Sequence, residues 1–310
     1  MNFEHVPVLL NECLNALHIK PNGVYVDCTM GGGGHSYEIA KRLTSGRLIA
    51  IDQDSDAIAF ASQKLLEFDD RVLIVKDNFK NLKEILNRTG YPKVDGILMD
   101  LGVSSFQLDN GERGFSYQLD YPLDMRMDQY QMLDAKQVVN TYETQRLAEI
   151  FRDYGEERYA HQIAVAILKQ REQKPIETTQ ELVDISKRAM PSKALKEKGH
   201  PAKRVFQAIR MEVNHELDVL SSVLNDAFEC LNSSGVLCII TFHSLEDRIV
   251  KHFFQSLAQG CTCPKSFPIC VCNNKPKITY VNKKAIVAGE QELQNNHRAK
   301  SAKLRAAMKI

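Results

Sequence analysis

The chain has 310 residues, 44% apolar and 25% charged, with 40 Lys or Arg against 39 Asp or Glu for a formal charge of +1. That length buries a substantial core in one large domain or two, and the composition is that of a globular protein, not a fibrous or disordered one. No apolar run is long enough to cross a membrane. The opening Met1-Asn2-Phe3-Glu4-His5 lacks the basic and apolar features of a signal peptide, so a cytoplasmic protein with no membrane partner is expected.

Val24–Cys28 predicts a first strand, and the glycine run after it opens a helix reaching about Leu43, before Gly46. Leu48–Ile51 predicts a second strand. Ser55–Leu66 predicts a helix, with Ile58, Ala61 and Leu65 on one face. Val72–Val75 and Val94–Leu101 predict a third and a fourth strand, with a helix from Leu82 between them. Strands alternating with helices at this spacing indicate an α/β fold with a parallel sheet. The alternation then stops. From about Phe106 to Lys203 a Gly-, Asp- and Arg-rich loop gives way to helical patterns over Thr144–Phe151, Glu157–Gln170 and Thr179–Met190. One long helix is predicted from Pro201 to Leu231, with Phe206, Ile209, Val213, Leu217, Leu220 and Leu224 as its apolar stripe. Val236–Thr241 restores the β signal, and Ile278–Val281 and Ala302–Met308 are further strand candidates. The expected organisation is a discontinuous sheet domain, 1–105 with 204–310, interrupted after its fourth strand by a helical insertion, 106–203.

Val26-Asp27-Cys28-Thr29-Met30-Gly31-Gly32-Gly33-Gly34-His35 joins the first strand to its helix, and Ile49-Ala50-Ile51-Asp52 ends the second strand in another acid. Glycine lets a backbone approach a ligand closely, and an acid at the end of the second strand suits a ribose hydroxyl pair. The glycines do not follow G-x-G-x-x-G, and no G-x-x-x-x-G-K-[ST] occurs, so phosphate binding is poorly supported. A nucleoside cofactor without phosphates fits better, and S-adenosylmethionine is such a cofactor. Asp27 is placed to face its ammonium group, Asp52 its ribose and Phe79 its adenine. Asp100, ending the fourth strand, faces cofactor and substrate or caps its own loop. His35 contacts the ligand or is an ordinary helix-turn residue.

Charge is unevenly spread. Lys187–Arg210 carries eight basic residues and one acid, and Lys275–Lys309 carries nine and two. Such segments bind a polyanion or form solvated faces. Cys261-Thr-Cys263-Pro-Lys-Ser-Phe-Pro-Ile-Cys270-Val-Cys272 puts four thiols within twelve residues. Zinc ligation and a surface loop with idle thiols both remain open, because C-x-C is tighter than the usual C-x₂-C. No metal is assigned to the catalytic site.

Several long motifs resemble the ribosomal RNA small-subunit methyltransferase H family, also called the MraW family. They include Asp27-x-Thr29-x-Gly31-Gly-Gly-Gly-His35-Ser36 and Asp95-Gly-Ile-Leu-Met-Asp100-Leu-Gly-Val-Ser-Ser105. Others are Glu112-Arg-Gly-Phe-Ser116, Pro122-Leu-Asp-Met-Arg-Met-Asp128, Tyr154-Gly-Glu-Glu-Arg158, Thr241-Phe-His-Ser-Leu-Glu-Asp-Arg248 and Arg298-Ala-Lys-Ser-Ala-Lys-Leu-Arg305. The resemblance implies a Rossmann-like class I S-adenosylmethionine-dependent methyltransferase. Its implied reaction is methylation of the exocyclic N4 of one cytidine in the decoding region of 16S ribosomal RNA, with that RNA or the small ribosomal subunit as partner. It places cofactor contacts on Gly33, Gly34, His35, Asp52, Phe79, Asp100 and Gln107. The family usually has proline before the glutamine. Phe106 stands there in this chain, which predicts a less rigid loop around Gln107.

A cytosine amine is a poor nucleophile, so an acceptor must draw off its protons as charge develops on nitrogen. Asp100 is the catalytic candidate, with the Leu101 and Gly102 carbonyls beside it. The usual [DNS]-P-P-[YFW] clamp is missing, which leaves Phe106, Phe115 or Phe242 to stack on the base and His243 or Asp247 to contact it. A nicotinamide-dependent oxidoreductase and a non-catalytic RNA-binding or ribosome assembly factor are the competing readings.

Overall fold

The computed structural model describes residues 7–264, 269 and 271–310, so Cys270, one of the four candidate zinc ligands, lies outside the described residues. The chain forms two compact units, Met1–Gly102 with Asp218–Ile310, and Val103–Leu217.

The first unit is built on a seven-stranded sheet. Its strands are β1 (Val24–Asp27), β2 (Arg47–Asp52), β3 (Val72–Lys76), β4 (Val94–Asp100), β5 (Leu231–Thr241), β6 (Ile278–Tyr280) and β7 (Lys303–Lys309). Their spatial order is β3-β2-β1-β4-β5-β7-β6. β1 to β5 run parallel, and β7 is antiparallel to both β5 and β6. This is the Rossmann-like sheet that the resemblance implies. Strands covered on both faces read as continuous apolar runs, as in Leu48-Ile49-Ala50-Ile51 of β2, all buried. Gly96 of β4 leaves room for the Tyr25 ring of β1: a Cβ there would stand 2.7 Å from it.

Each face of the sheet carries its own core. Helices Leu10–Leu17 and Gly34–Ala40 bury Leu14, Leu17 and Ile39 with Tyr25 and Leu48 on one side. Helices Leu82–Arg88, Glu216–Cys230 and Ser244–Ala258 bury Ile85, Leu224 and Phe254 with Ile49 and Ile97 on the other. From β1 the chain moves outward through β2 and β3, then returns to place β4 on the opposite side of β1. Ligands of open α/β sheets bind beyond the strand carboxyl ends at such a reversal. Here Asp27, Asp52 and Asp100 end β1, β2 and β4.

The second unit is helical, with Ala135–Thr141, Thr144–Asp153, Ala160–Arg171, Thr179–Ala189 and Lys203–Asn214 around Val139, Leu147, Phe151, Ile163 and Ile209. The loop before these helices is folded, not free. The Arg113 guanidinium donates to the carbonyls of Arg126 (2.8 Å) and Met127 (3.2 Å). The Asn214 amide donates to the Met125 carbonyl at 2.8 Å. The motifs around Arg113 and Arg126 therefore hold each other.

The single long helix predicted from Pro201 to Leu231 is two. Lys203–Asn214 ends at His215, which is left-handed at φ 51°, and Glu216–Cys230 begins anew. The apolar stripe continues across the break, which is why periodicity alone merged them. The second helix passes directly into β5, which starts at Leu231 and contains Gly235.

Candidate active site

The site grows from the turn after β1. Asp27 is 1% exposed, and both its oxygens are engaged: Oδ1 accepts from the Thr29 N–H at 3.1 Å and Oδ2 from the Ser36 hydroxyl at 2.6 Å. It clasps the two ends of the glycine turn. The turn is left-handed at Gly31 (φ 50°) and Gly33 (φ 73°), and a Cβ at Gly33 would lie 3.1 Å from the Ala61 Cβ. At Gly34 a Cβ would stand 2.4 Å from Pro7 Cγ. Asp52, at the end of β2, closes the turn from the other side. Its Oδ2 accepts from the Gly31 N–H at 2.7 Å and its Oδ1 from the Asp54 N–H at 2.9 Å. Each Asp52 oxygen keeps a further lone pair for a ligand hydroxyl.

Asp100 ends β4 beside this turn. Its N–H donates to the Thr29 hydroxyl at 2.6 Å, locking the strand end onto the turn. Its Oδ2 faces His35 Nδ1 at 3.6 Å, and the His35 Nε2 lies 3.1 Å from the Val8 carbonyl. The Asp100 side chain is 22% exposed, yet its Oδ1 is shielded and has no hydrogen-bond partner among the described residues. A buried oxygen without a partner is costly and marks a place prepared for a donor or a cation.

The three acids share an electrostatic character. Burial pushes the Asp27 and Asp52 carboxyls up to about 6 against the lowering effect of their hydrogen bonds. Burial, then the charges of Asp27 and Glu246, hold the Asp100 carboxyl well above the usual carboxylate range. Among the described residues no Lys or Arg pairs with any of the three, and His35 faces Asp100 at 3.6 Å. A ligand carrying a sulfonium and an ammonium group suits such an edge, whereas a pyrophosphate would be repelled.

Gly33, Gly34, His35, Asp52 and Asp100 are thus gathered at one sheet edge. Phe79 begins the short turn after β3, partly buried against the core that includes Ile51. It is tied to Asp52 through the Asp77 N–H, which donates to the Asp52 carbonyl at 3.0 Å. Gln107 belongs to the helical unit. It is 5% exposed and completes a capping box: its N–H donates to the Ser104 hydroxyl (3.2 Å) and its Oε1 accepts from the Ser104 N–H (3.0 Å). The loop expected to loosen with Phe106 in place of proline is instead a capped helical turn.

Other expectations change. Asp27 is enclosed and braces the turn, so it offers no surface to an ammonium group. Phe115 is 5% exposed in the helical core and cannot stack on a base. Asp247 is taken by Arg305 (2.7 Å) and Lys303 (3.2 Å) of β7. His243 caps helix Ser244–Ala258, its ring accepting from the Glu246 N–H, and sits 3.1 Å from the Glu246 carboxylate. Thr29 and Ser36 were missed as site residues. Their place inside the glycine motif was the available signal, because hydroxyls in a turn find backbone or carboxylate partners.

Among the described residues no helix is long and apolar enough to cross a membrane. The MraW methylase family model matches residues 2–310. Three proteins each named ribosomal RNA small subunit methyltransferase H are similar to the chain over all of it. They are those of Finegoldia magna (53% identical, all of that protein covered), Lachnospira eligens (55%, 99% covered) and Carboxydothermus hydrogenoformans (56%, 99% covered). With the glycine turn, three strand-end acids and the sheet order already in place, the chain belongs to the MraW methylase family, whose methyl donor is S-adenosylmethionine.

Proposed function

We propose that the chain methylates the exocyclic N4 of a cytidine in the decoding region of 16S ribosomal RNA. The names of its relatives support ribosomal RNA of the small subunit as the substrate class. The observation that carries the amine chemistry is Asp100, partly exposed at the end of β4 with one oxygen lacking a partner. The resemblance supplies the choice of cytidine N4.

When bound, S-adenosylmethionine supplies a methyl group on a positively charged sulfur. Gly33 and Gly34, closely packed on Ala61 and Pro7, would present the turn backbone to the ligand, Asp52 would accept from its ribose hydroxyls, and Phe79 would cover its adenine. Asp100 accepts a proton of the substrate amine, keeping the nitrogen lone pair aimed along the transfer line and offsetting the charge that grows there. Burial, with the charges of Asp27 and Glu246, raises its proton affinity, which favours taking up that proton. His35 and Thr29 fix the carboxylate and strand end in place.

The basic stretch in the helical unit supports RNA docking. Lys193, Lys196, Lys198 and Lys203 are exposed, and none is in an ion pair among the described residues. The family removes the nicotinamide oxidoreductase reading. A purely structural RNA-binding role predicts no transfer of label from tritiated S-adenosylmethionine to small-subunit RNA.

Mass mapping of 16S RNA from cells lacking the protein tests the target: one cytidine loses one methyl group, and the wild-type chain restores it. At saturating S-adenosylmethionine, Asp100→Asn is expected to lose methyl transfer by about 10²–10³-fold. Full transfer by that variant removes Asp100 from its role, and an unchanged methylation map removes the cytidine assignment.

A further inference from the structure

Between helix Ser244–Ala258 and β6, the described part of segment 259–277 has no helix, no strand and no buried residue. Ile269 and Val271 stand 75% and 67% exposed. Among its described residues no hydrophobic core organises this excursion. Its base is tied by the Asn274 amide, which donates to the carbonyls of Gln259 (3.2 Å) and Gly260 (2.9 Å). The Lys277 N–H, which donates to the Leu257 carbonyl at 2.8 Å, adds a second tie.

Beyond that base, three sulfurs converge. The ligand atoms of Cys261, Cys263 and Cys272 all lie within 4.8 Å of one another, with Cys261 and Cys272 sulfurs 3.7 Å apart. The two arms exchange hydrogen bonds to sulfur. The Thr262 N–H donates to Cys272 Sγ at 3.3 Å, and the Val271 N–H donates to Cys263 Sγ at 3.3 Å. Backbone donors aimed at sulfur favour the thiolate over the thiol.

The spacing fits a tetrahedral metal and excludes a disulfide. A zinc–sulfur bond of about 2.3 Å in tetrahedral geometry separates the sulfurs by about 3.8 Å. A disulfide brings them to about 2.05 Å. The observed 3.7 Å matches an edge of the coordination tetrahedron. Soft thiolates prefer zinc-like ions to calcium or magnesium, and metal binding can order a short segment that has no core.

We propose that Cys261, Cys263 and Cys272 bind one zinc-class divalent cation, which clips the described arms 259–264 and 271–277 together. The site is separate from the cofactor edge and structural in purpose. Its three thiolates occupy three corners of the tetrahedron.

Untagged full-length protein, purified under reducing conditions without chelator, is expected to carry about one zinc per chain by elemental mass spectrometry. Exchange for cobalt is expected to give intense thiolate-to-metal charge-transfer absorption. The double variant Cys261→Ser/Cys272→Ser is expected to lose the metal while its S-adenosylmethionine affinity and far-ultraviolet circular dichroism stay unchanged. If that variant does not fold, alkylation of the wild-type protein decides. Cys261, Cys263 and Cys272 should be protected with equimolar zinc and all modified after chelation. Failure of zinc to protect them overturns the assignment, as does full zinc content in the double variant or a native Cys261–Cys272 disulfide in metal-free protein.

Discussion

Asp27 and Asp52 show how a carboxylate can be placed at a cost to the fold. Their carboxyls titrate at about 6 in the folded chain and near the ordinary carboxylate value when unfolded. Between those values the folded state holds more protons, so their contribution to stability falls as pH rises through that window. A cationic cofactor reverses the preference by favouring the ionised form. Affinity for S-adenosylmethionine is therefore expected to rise as pH climbs through about 6 and then level off, as titration calorimetry at a series of pH values would read. Asp52→Asn should flatten that profile and weaken binding about 10- to 100-fold. An unchanged profile would show that Asp52 is not a ligand contact. Much of this was legible in the sequence, because acids at strand ends after a glycine run can be read directly. The division of labour was not. Asp27 and Asp52 look alike in the sequence, and only the Ser36 and Thr29 hydrogen bonds show that Asp27 is spent within the protein.

At the scale of elements, Asp247 joins the first turn of helix Ser244–Ala258 to β7. It pairs with Arg305 and Lys303, which hold its carboxyl below the usual range despite partial burial. The stabilisation is present above the ordinary carboxylate pKa and lost as pH falls through the lowered value. Arg305→Ala is expected to cost about 2 kcal/mol, measured by denaturant unfolding. A double-mutant cycle with Asp247→Ala would show the two losses to be non-additive; simple additivity would mean the contact contributes nothing. Gly33→Ala should lower the melting temperature, because it combines a left-handed φ with a tight approach to Ala61. Strands β1 to β5 announced themselves through apolar runs between turn residues. The helix break at His215 did not, because no glycine or proline marks it and the stripe from Phe206 to Leu224 continues past it.

For the whole molecule, a formal charge of +1 conceals the exposed lysines of the helical unit. Lys203→Glu with Arg204→Glu is expected to weaken RNA affinity and to reduce the slope of log affinity against log salt by about 2. Filter binding across salt concentrations measures this, and an unaltered slope would make the stretch a solvated face. The switch from alternating strands to a helical stretch was legible, since the β signal stops after β4 and returns at β5. β7 carries another consequence. It lies between β5 and β6 in the sheet but follows both in the chain. During synthesis, therefore, β6 emerges before β7, the strand with which it pairs, and the flank of β5 away from β4 stays open until β7 arrives. A released chain truncated before Lys303 should thus be readily cut by protease around Ile278, and the chain running through Ile310 should resist.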